Sequence, residues 1–236
     1  MTATGGGSVG VVVLARLDSR RLPGKALRPL AGRPLMGRVL DRVRRVACAS
    51  VVVATSDRGL DEPIAAFCAA EGVAVHRGSA EDVLGRLTGC VAAHDFAHAV
   101  RICGDSPFAD PELIAAMLAL HLREGAELTT NVFPRGFPPG ASVEILTAAA
   151  LERLDALARD PEQREHVTRA CYDHPAQFRI HNVAPPHPFP ATRLVVDDGR
   201  DLDRAEAVCR VLDRHPSATL LELAEAAARW DERNPA

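Results

Sequence analysis

No charge of one sign dominates this chain: 28 Lys and Arg stand against 31 Asp and Glu over 236 residues, a formal net charge of −3. That leaves no global positive field of the kind that gathers nucleic acid, so any basic site has to be local. Long apolar runs are also missing. The longest N-terminal stretch, Val9 to Ala15, is too short for a membrane span and follows a Gly-rich tail without a cleavage-site pattern, which predicts a cytoplasmic protein with no membrane partner. The six cysteines (Cys48, Cys68, Cys90, Cys103, Cys171, Cys209) form no Cys-x-x-Cys pair and sit mostly in Ala/Val/Leu-rich segments, which predicts buried, reduced thiols. Repeats and coiled-coil heptads are absent, and aromatics make up only 4% of the chain, a balance in keeping with an Ala- and Arg-rich, GC-rich coding bias.

What is present is a large apolar fraction, 47%, enough for one domain of about 200 to 250 residues. The reading is a disordered tail at 1–8 and a single domain at 9–236. Strand and helix patterns alternate, which favours an α/β fold: a mostly parallel central sheet with helices on both faces. Strands are expected near 9–15, 50–55, 73–76, 98–103, 126–131, 143–146, 178–183 and 193–196. Helices are expected near 34–46, 60–71, 80–94, 111–124, 147–157, 161–173, 200–214 and 219–229. Asp110-Pro111 and Asp160-Pro161 each supply a carboxylate N-cap followed by proline at the first helical position, and Thr219 with Glu222 reads as a capping box. Residues 132–142, with three prolines and two glycines, exclude a regular element and predict a functional or interface loop, or a surface connection.

The chemistry concentrates where the first strand ends. Arg16, Arg20, Arg21 and Lys25 follow that strand closely, and open α/β sheets bind ligands at the carboxyl ends of their strands. Cations so close together repel one another unless an anion or solvent separates them, and a polyphosphate is the natural anion. Arginine forks onto two phosphate oxygens and lysine adds a point charge, so Arg16 and Lys25 lead as candidates, then Arg21, with Arg20 and Arg28 read as solvated. The segment is not a Walker loop, because Ser19 stands at the first glycine position and Ala26 follows Lys25. Two further strands end in carboxylates. Asp105, in Arg101-Ile-Cys-Gly-Asp105-Ser-Pro107, suits a hard cation such as Mg²⁺ facing phosphate oxygens, with an Asx turn as the competing role; Asp197 offers a second carboxylate, while Asp198 and Asp201 stand at capping spacing. Ser79 opens a helix start suited to a base or ribose, with Arg86 further along, although Ser79 and Asp82 also read as an N-cap pair. Arg164 and His166 could hold the charged group of an acceptor, against a solvated helix face. The histidines at 94, 98, 121, 174, 181, 187 and 215 show no metal-ligand spacing and read as surface or loop residues.

Taken together, Ala15-Arg-Leu-Asp-Ser-Arg-Arg-Leu-Pro-Gly-Lys25, Leu30-Ala-Gly-Arg-Pro-Leu35, Ala54-Thr-Ser, Arg77-Gly-Ser-Ala-Glu-Asp-Val-Leu84, Gly104-Asp-Ser-Pro107, Arg164-Glu-His-Val-Thr168 and Val196-Asp197 resemble the cytidylyltransferase family. The resemblance runs in order from about residue 9 to residue 208 and is nearest to the spore-coat polysaccharide branch. It implies a Rossmann-like nucleotidyltransferase fold and Mg²⁺-dependent transfer of CMP from CTP to an acidic sugar, with release of pyrophosphate. By matching, Arg16, Ser19, Arg21 and Lys25 fall on the CTP phosphates, Ser79 and Arg86 in the cytosine and ribose region, and Asp105 and Asp197 at the metal. Residues 132–145, with Glu144, match a region that in relatives forms the acceptor pocket and a homodimer contact. One departure stands beside Glu144, where relatives read Gly-Leu/Ser-Asp-Val-Glu and this chain reads Gly140-Ala-Ser142-Val-Glu144. A phosphonate or sugar-phosphate acceptor, a glycosyltransferase and a non-catalytic nucleotide-binding protein are the alternative readings; a glycosyltransferase would usually carry an Asp-x-Asp motif where this chain has Gly-Asp-Ser-Pro.

Overall fold

The computed structural model describes residues 8–47 and 49–235. The chain opens with β1 (Val9–Leu14), passes a single 3-10 turn at Lys25–Leu27 and a ribbon of β2 (Pro29–Leu30) and β3 (Arg33–Pro34), and enters α1 (Leu35–Val43). Then follow β4 (Ser50–Ser56), α2 (Glu62–Ala70), β5 (Ala74–Gly78), α3 (Val83–Ala93), β6 (His98–Cys103) and α4 (Pro111–Glu124). β7 (Leu128–Thr130), β8 (Glu144–Thr147), α5 (Ala148–Leu157), α6 (Pro161–Glu165), α7 (Arg169–Asp173), β9 (Ile180–Asn182), α8 (Gly199–Arg214) and α9 (Leu220–Arg233) complete it.

Among the described residues seven strands form one sheet in the order β5-β4-β1-β6-β8-β7-β9, and β8 alone runs against its neighbours. The β-branched run of β1 explains its central place. Val11 and Val13 pack into one core with Leu35, Met36, Ile64 and Ile114, whereas Val12 and Leu14 pack into a second with Leu84, Leu87, Leu151 and Leu154. Both faces are covered by helices, as a parallel strand requires. From β1 the chain moves outward through β4 to β5, then crosses back to β6 on the other side of β1. The order therefore reverses between β1 and β6, and a crevice opens at their carboxyl ends.

Several expectations change. The segment 193–196 pairs with no strand among the described residues: Leu194 N–H donates to Pro139 O (2.7 Å) and Val196 N–H to Asp105 O (3.0 Å), so loops take the ladder's place. The helix expected over 161–173 breaks at His166–Thr168, because Val167 is buried and Thr168 donates to the buried Glu144 carboxylate at 2.6 Å. The β2–β3 ribbon was not foreseen; Ala31 and Gly32 take φ of 49° and 80°, the paired left-handed geometry of a two-residue hairpin turn. His121 is not a surface residue, and His98 is half-buried on β6. They pair at 3.1 Å with His121 1% exposed and hydrogen-bonded to Thr129, and burial, then the neighbouring His98, push the His121 pKa down to about 4. The tail expected over 1–8 lies outside the described residues except for Ser8, whose carbonyl accepts from the Ala97 and His98 N–H groups. Cys68, Cys90, Cys171 and Cys209 are buried free thiols and Cys103 is half-buried; Cys48 lies outside the described residues.

Candidate active site

A cleft of about 490 Å³ lies over the carboxyl ends of β1 and β6. Its first wall is the loop after β1. That loop is pinned by Asp61, which is fully buried and accepts from the Leu17 N–H at 2.7 Å and from the Ser56 hydroxyl. The Gly24 N–H closes it further onto Leu17 O at 3.1 Å, with Gly24 at φ +69°, a conformation that glycine reaches without strain. Arg16, Ser19, Arg21 and Lys25 all reach the cleft, and so does Arg20, which was read as solvated.

The floor comes from β6. Strand alternation puts Arg101, Cys103 and the following Asp105 on one side, and all three line the cleft. Arg101 is opposite Glu144 in the β6–β8 register and pairs with its carboxylate. Glu144 is 2% exposed and also accepts from Thr168 and Tyr172. Burial alone would raise the Glu144 carboxyl; the charge of Arg101 and the two hydroxyls outweigh it and hold the carboxyl below its ordinary value. Glu144 is thus the buried support of Arg101 and does not itself border the cleft.

The third contribution, Asp197, arrives from 172 residues beyond Lys25. Lys25 Nζ stands 2.8 Å from Asp105 Oδ2 and 3.1 Å from Asp197 Oδ1. Asp197 also pairs with Arg21 (3.2 Å) and Arg193 (2.8 Å), and its N–H donates to Asp201 Oδ2 at 3.0 Å. Against burial, Asp105 and Asp197 raise the Lys25 ammonium above its ordinary value, while Lys25, Arg21 and Arg193 hold Asp197 below its own. Asp198 caps α8 by accepting from Asp201 N–H at 2.9 Å, and Asp201 pairs with Arg204 at 2.6 Å, so both are structural as expected.

At the far side Arg16 pairs with Glu165 at 2.7 Å and donates to Ala80 O, to which the Arg86 guanidinium also turns. Arg86 is 3% exposed and, among the described residues, meets only backbone carbonyls and leaves Nε without a partner; burial and then the Arg16 charge push its pKa down to about 10. Such a buried cation is built to meet ligand oxygens or ring nitrogens. Ser79 is not at the cleft: it is exposed, and its hydroxyl accepts from the Asp82 N–H at 3.1 Å. Arg164 is not there either, being held by Asp82 and Asp155, whereas its neighbours Glu165 and His166 line the cleft. The structure adds Asp61, Arg101, Glu165 and Arg193 to the site. Arg101 and Glu165 lay inside segments already singled out; nothing local marks Asp61 or Arg193.

Among the described residues no group of three or more His, Cys, Asp or Glu side chains could hold a metal ion. The donor set is nonetheless apt for a hard divalent cation. Asp105 and Asp197 converge on one point, as their shared ammonium shows, and phosphate oxygens and water would complete the shell.

This sheet order, with a cation-walled cleft and paired carboxylates at the reversal of strand order, is a Rossmann-like α/β fold with a site suited to a polyanion and a divalent cation. The comparisons narrow the class. A family model described as cytidylyltransferase matches residues 10–226, and the chain belongs to that family. It is 34% identical over 222 residues to the spore coat polysaccharide biosynthesis protein SpsF of Bacillus subtilis (strain 168), covering 90% of each chain. Among solved structures it is similar to a cytidylyltransferase from Leptospira borgpetersenii, with a TM-score of 0.85 and 27% identity over 97% of this chain and 95% of that one. It also shares its fold with a CMP:2-keto-3-deoxy-manno-octonic acid synthetase complexed with CTP, with a TM-score of 0.68 and 20% identity over 86% of this chain and 99% of that one. The chain is therefore a cytidylyltransferase by family, and an enzyme.

Proposed function

We propose that this enzyme transfers CMP from CTP to an acidic sugar of the ulosonic or nonulosonic type and releases pyrophosphate. The observation that carries the reading is the Lys25 ammonium seated between Asp105 and Asp197, with Arg16, Arg21 and Arg86 around the same cleft. The names of the relatives, a spore coat polysaccharide biosynthesis protein and a synthetase bound to CTP, support the nucleotide and the kind of acceptor. In the reaction an acceptor hydroxyl oxygen bonds to the α-phosphorus, the bond from that phosphorus to the β-bridging oxygen breaks, and the hydroxyl proton leaves to solvent or a base. Arg16, Arg21 and Lys25 bind the β- and γ-phosphates and neutralise the departing pyrophosphate, with Ser19 on the same loop. Arg86 faces the nucleoside, and the loop of Ser79 and Ala80 supplies backbone carbonyls to that side. His166, with Arg101 braced by Glu144, borders the acceptor side, while Arg164 positions α6 through Asp82 and Asp155. Held by Asp105 and Asp197, a Mg²⁺ ion would supply positive charge at the α-phosphate. A homodimer built around residues 132–145, acting in the cytoplasm, belongs to the same reading. No helix among the described residues is long and apolar enough to cross a membrane.

Pyrophosphate release with CTP, UTP, ATP or GTP, in Mg²⁺, against ulosonic acids, sugar phosphates and phosphonates tests the proposal. Release with CTP and an ulosonic acid is expected, and Asp105→Ala should lose more than roughly a hundredfold in turnover while keeping its circular dichroism. Release only with a phosphonate or sugar phosphate would replace the acceptor; CTP binding without release against any acceptor would overturn the catalytic assignment.

A further inference from the structure

We propose that Lys25 is the resident cation of the metal site: in the nucleotide-free protein it holds Asp105 and Asp197 together and withholds them from divalent cations until a triphosphate draws its ammonium away. The inference rests on the nucleotide reading of the cleft and assigns Lys25 a role before chemistry as well as during it.

The geometry makes the two uses of Lys25 mutually exclusive. Its Nζ sits 2.8 and 3.1 Å from the two carboxylates that a metal ion would need, and its side chain is 15% exposed, so it fills the point on which they converge. A divalent ion placed between the same carboxylates would face the ammonium at contact distance. The carboxylates depend on Lys25 unequally. Asp197 keeps Arg21 and Arg193 when Lys25 leaves, whereas Lys25 is the one cation paired with Asp105 among the described residues, and the other side-chain partner of Asp105 is the Ser106 hydroxyl at 3.4 Å. Departure of Lys25 therefore opens Asp105 above all.

The position is also suited to exchange. Lys25 starts a single 3-10 turn behind the left-handed Gly24, its N–H anchored to Leu22 O at 3.1 Å, and its four-carbon stem carries a compact charge that moves without moving the backbone. Triphosphate oxygens entering between Arg16 and Arg21 offer that ammonium denser negative charge than two carboxylates. Metal and nucleotide then raise each other's affinity, and the coupling is reciprocal.

Titration of the full chain with Mn²⁺, free ion being read by electron paramagnetic resonance, with and without CTP, tests this. Wild type is expected to bind Mn²⁺ weakly alone and tightly with CTP. Lys25→Met should bind Mn²⁺ without nucleotide at least about tenfold more tightly than wild type, the scale of losing one charge-assisted competitor, and gain correspondingly less from CTP. Lys25→Arg keeps the cation and should stay weak, which separates lost charge from lost packing. Equal Mn²⁺ affinity for wild type and Lys25→Met without CTP overturns the proposal. So does a wild type that binds Mn²⁺ as well without CTP as with it, a result that needs no variant to fold. Failure of wild type to bind CTP at all instead overturns the nucleotide reading and the exchange with it, while the nucleotide-free comparison still decides whether Lys25 blocks the carboxylates.

Discussion

At the scale of single residues, the cleft sets cations against carboxylates, Lys25 on Asp105 and Asp197, Arg16 on Glu165 and Arg101 on Glu144, and these pairs are of two kinds: those a ligand can replace and those the fold retains. Glu144 is of the retained kind. Its carboxylate is closed in by Arg101, Thr168 and Tyr172, and removing its charge leaves the Arg101 guanidinium uncompensated beneath the cleft. Breaking such a pair costs on the order of 3–5 kcal/mol. Because the folded carboxyl lies below its ordinary value of 4.5, its contribution is present above that value and disappears as pH falls through the lower folded value. Urea denaturation of wild type and Glu144→Gln should therefore show the full stability gap at neutral pH, unchanged near pH 5 and closing only in stronger acid. A gap that is constant down to pH 2 would mean the carboxylate charge contributes nothing. Arg16 and Asp105 were legible because each closely follows a strand end, and Lys25 because it shares the cation-rich turn after β1; Asp197 reaches the same cleft from a segment outside the sheet. Ser79 and Arg164 were misplaced because a helix start or a charged helix face looks the same whether it faces a ligand or a neighbouring side chain.

At the scale of elements, the decisive connection joins the irregular loop 132–142 to the segment carrying Asp197. Gly140 has φ +98°, and a Cβ there would lie 2.3 Å from Leu194 C and Val195 N, which are backbone atoms with little room to shift. Gly140→Ala should destabilise the protein by about 1–3 kcal/mol and push 194–197 off the site. Since displacement of a reacting group by about 1 Å costs around a hundredfold, pyrophosphate release should fall by at least tenfold, while binding through the β1 loop persists. Calorimetric CTP binding beside the turnover assay checks this, and a variant with wild-type turnover would show that the contact does not place Asp197. The periodicity of 193–196 read as a strand because an apolar, β-branched run carries no mark of which hydrogen-bond partners it will find. Here two loop carbonyls, Pro139 O and Asp105 O, take the place of a neighbouring strand. Helix starts were more transparent: Asp110, Asp160 and Thr219 each cap as their spacing predicts, since capping is decided within four residues.

At the scale of the whole molecule, the cleft gathers loops from both halves of the sheet, so a ligand that bridges them should stabilise the entire domain. With Mg²⁺ and CTP at about a hundred times Kd, linkage predicts roughly 2.7 kcal/mol and a rise in Tm of about 5–10 °C for a chain of this length. Removal of the metal with EDTA should lower that rise, and ATP or GTP should give less than CTP. A thermal scan with equal shifts for CTP, ATP and GTP would set aside cytosine selectivity at Arg86 and Ala80. The alternation of strands and helices, the central β1, the helix caps and the cation-rich turn were determined by the sequence alone, because periodicity, capping and local charge density act over a few residues. The reversal of strand order beside β1, the convergence of Lys25, Asp105 and Asp197, and the buried Arg101–Glu144 pair were decided only by the tertiary structure. Those contacts join residues 43 to 172 apart, and what selects them is the burial of two opposed core faces, to which no short stretch of sequence answers by itself.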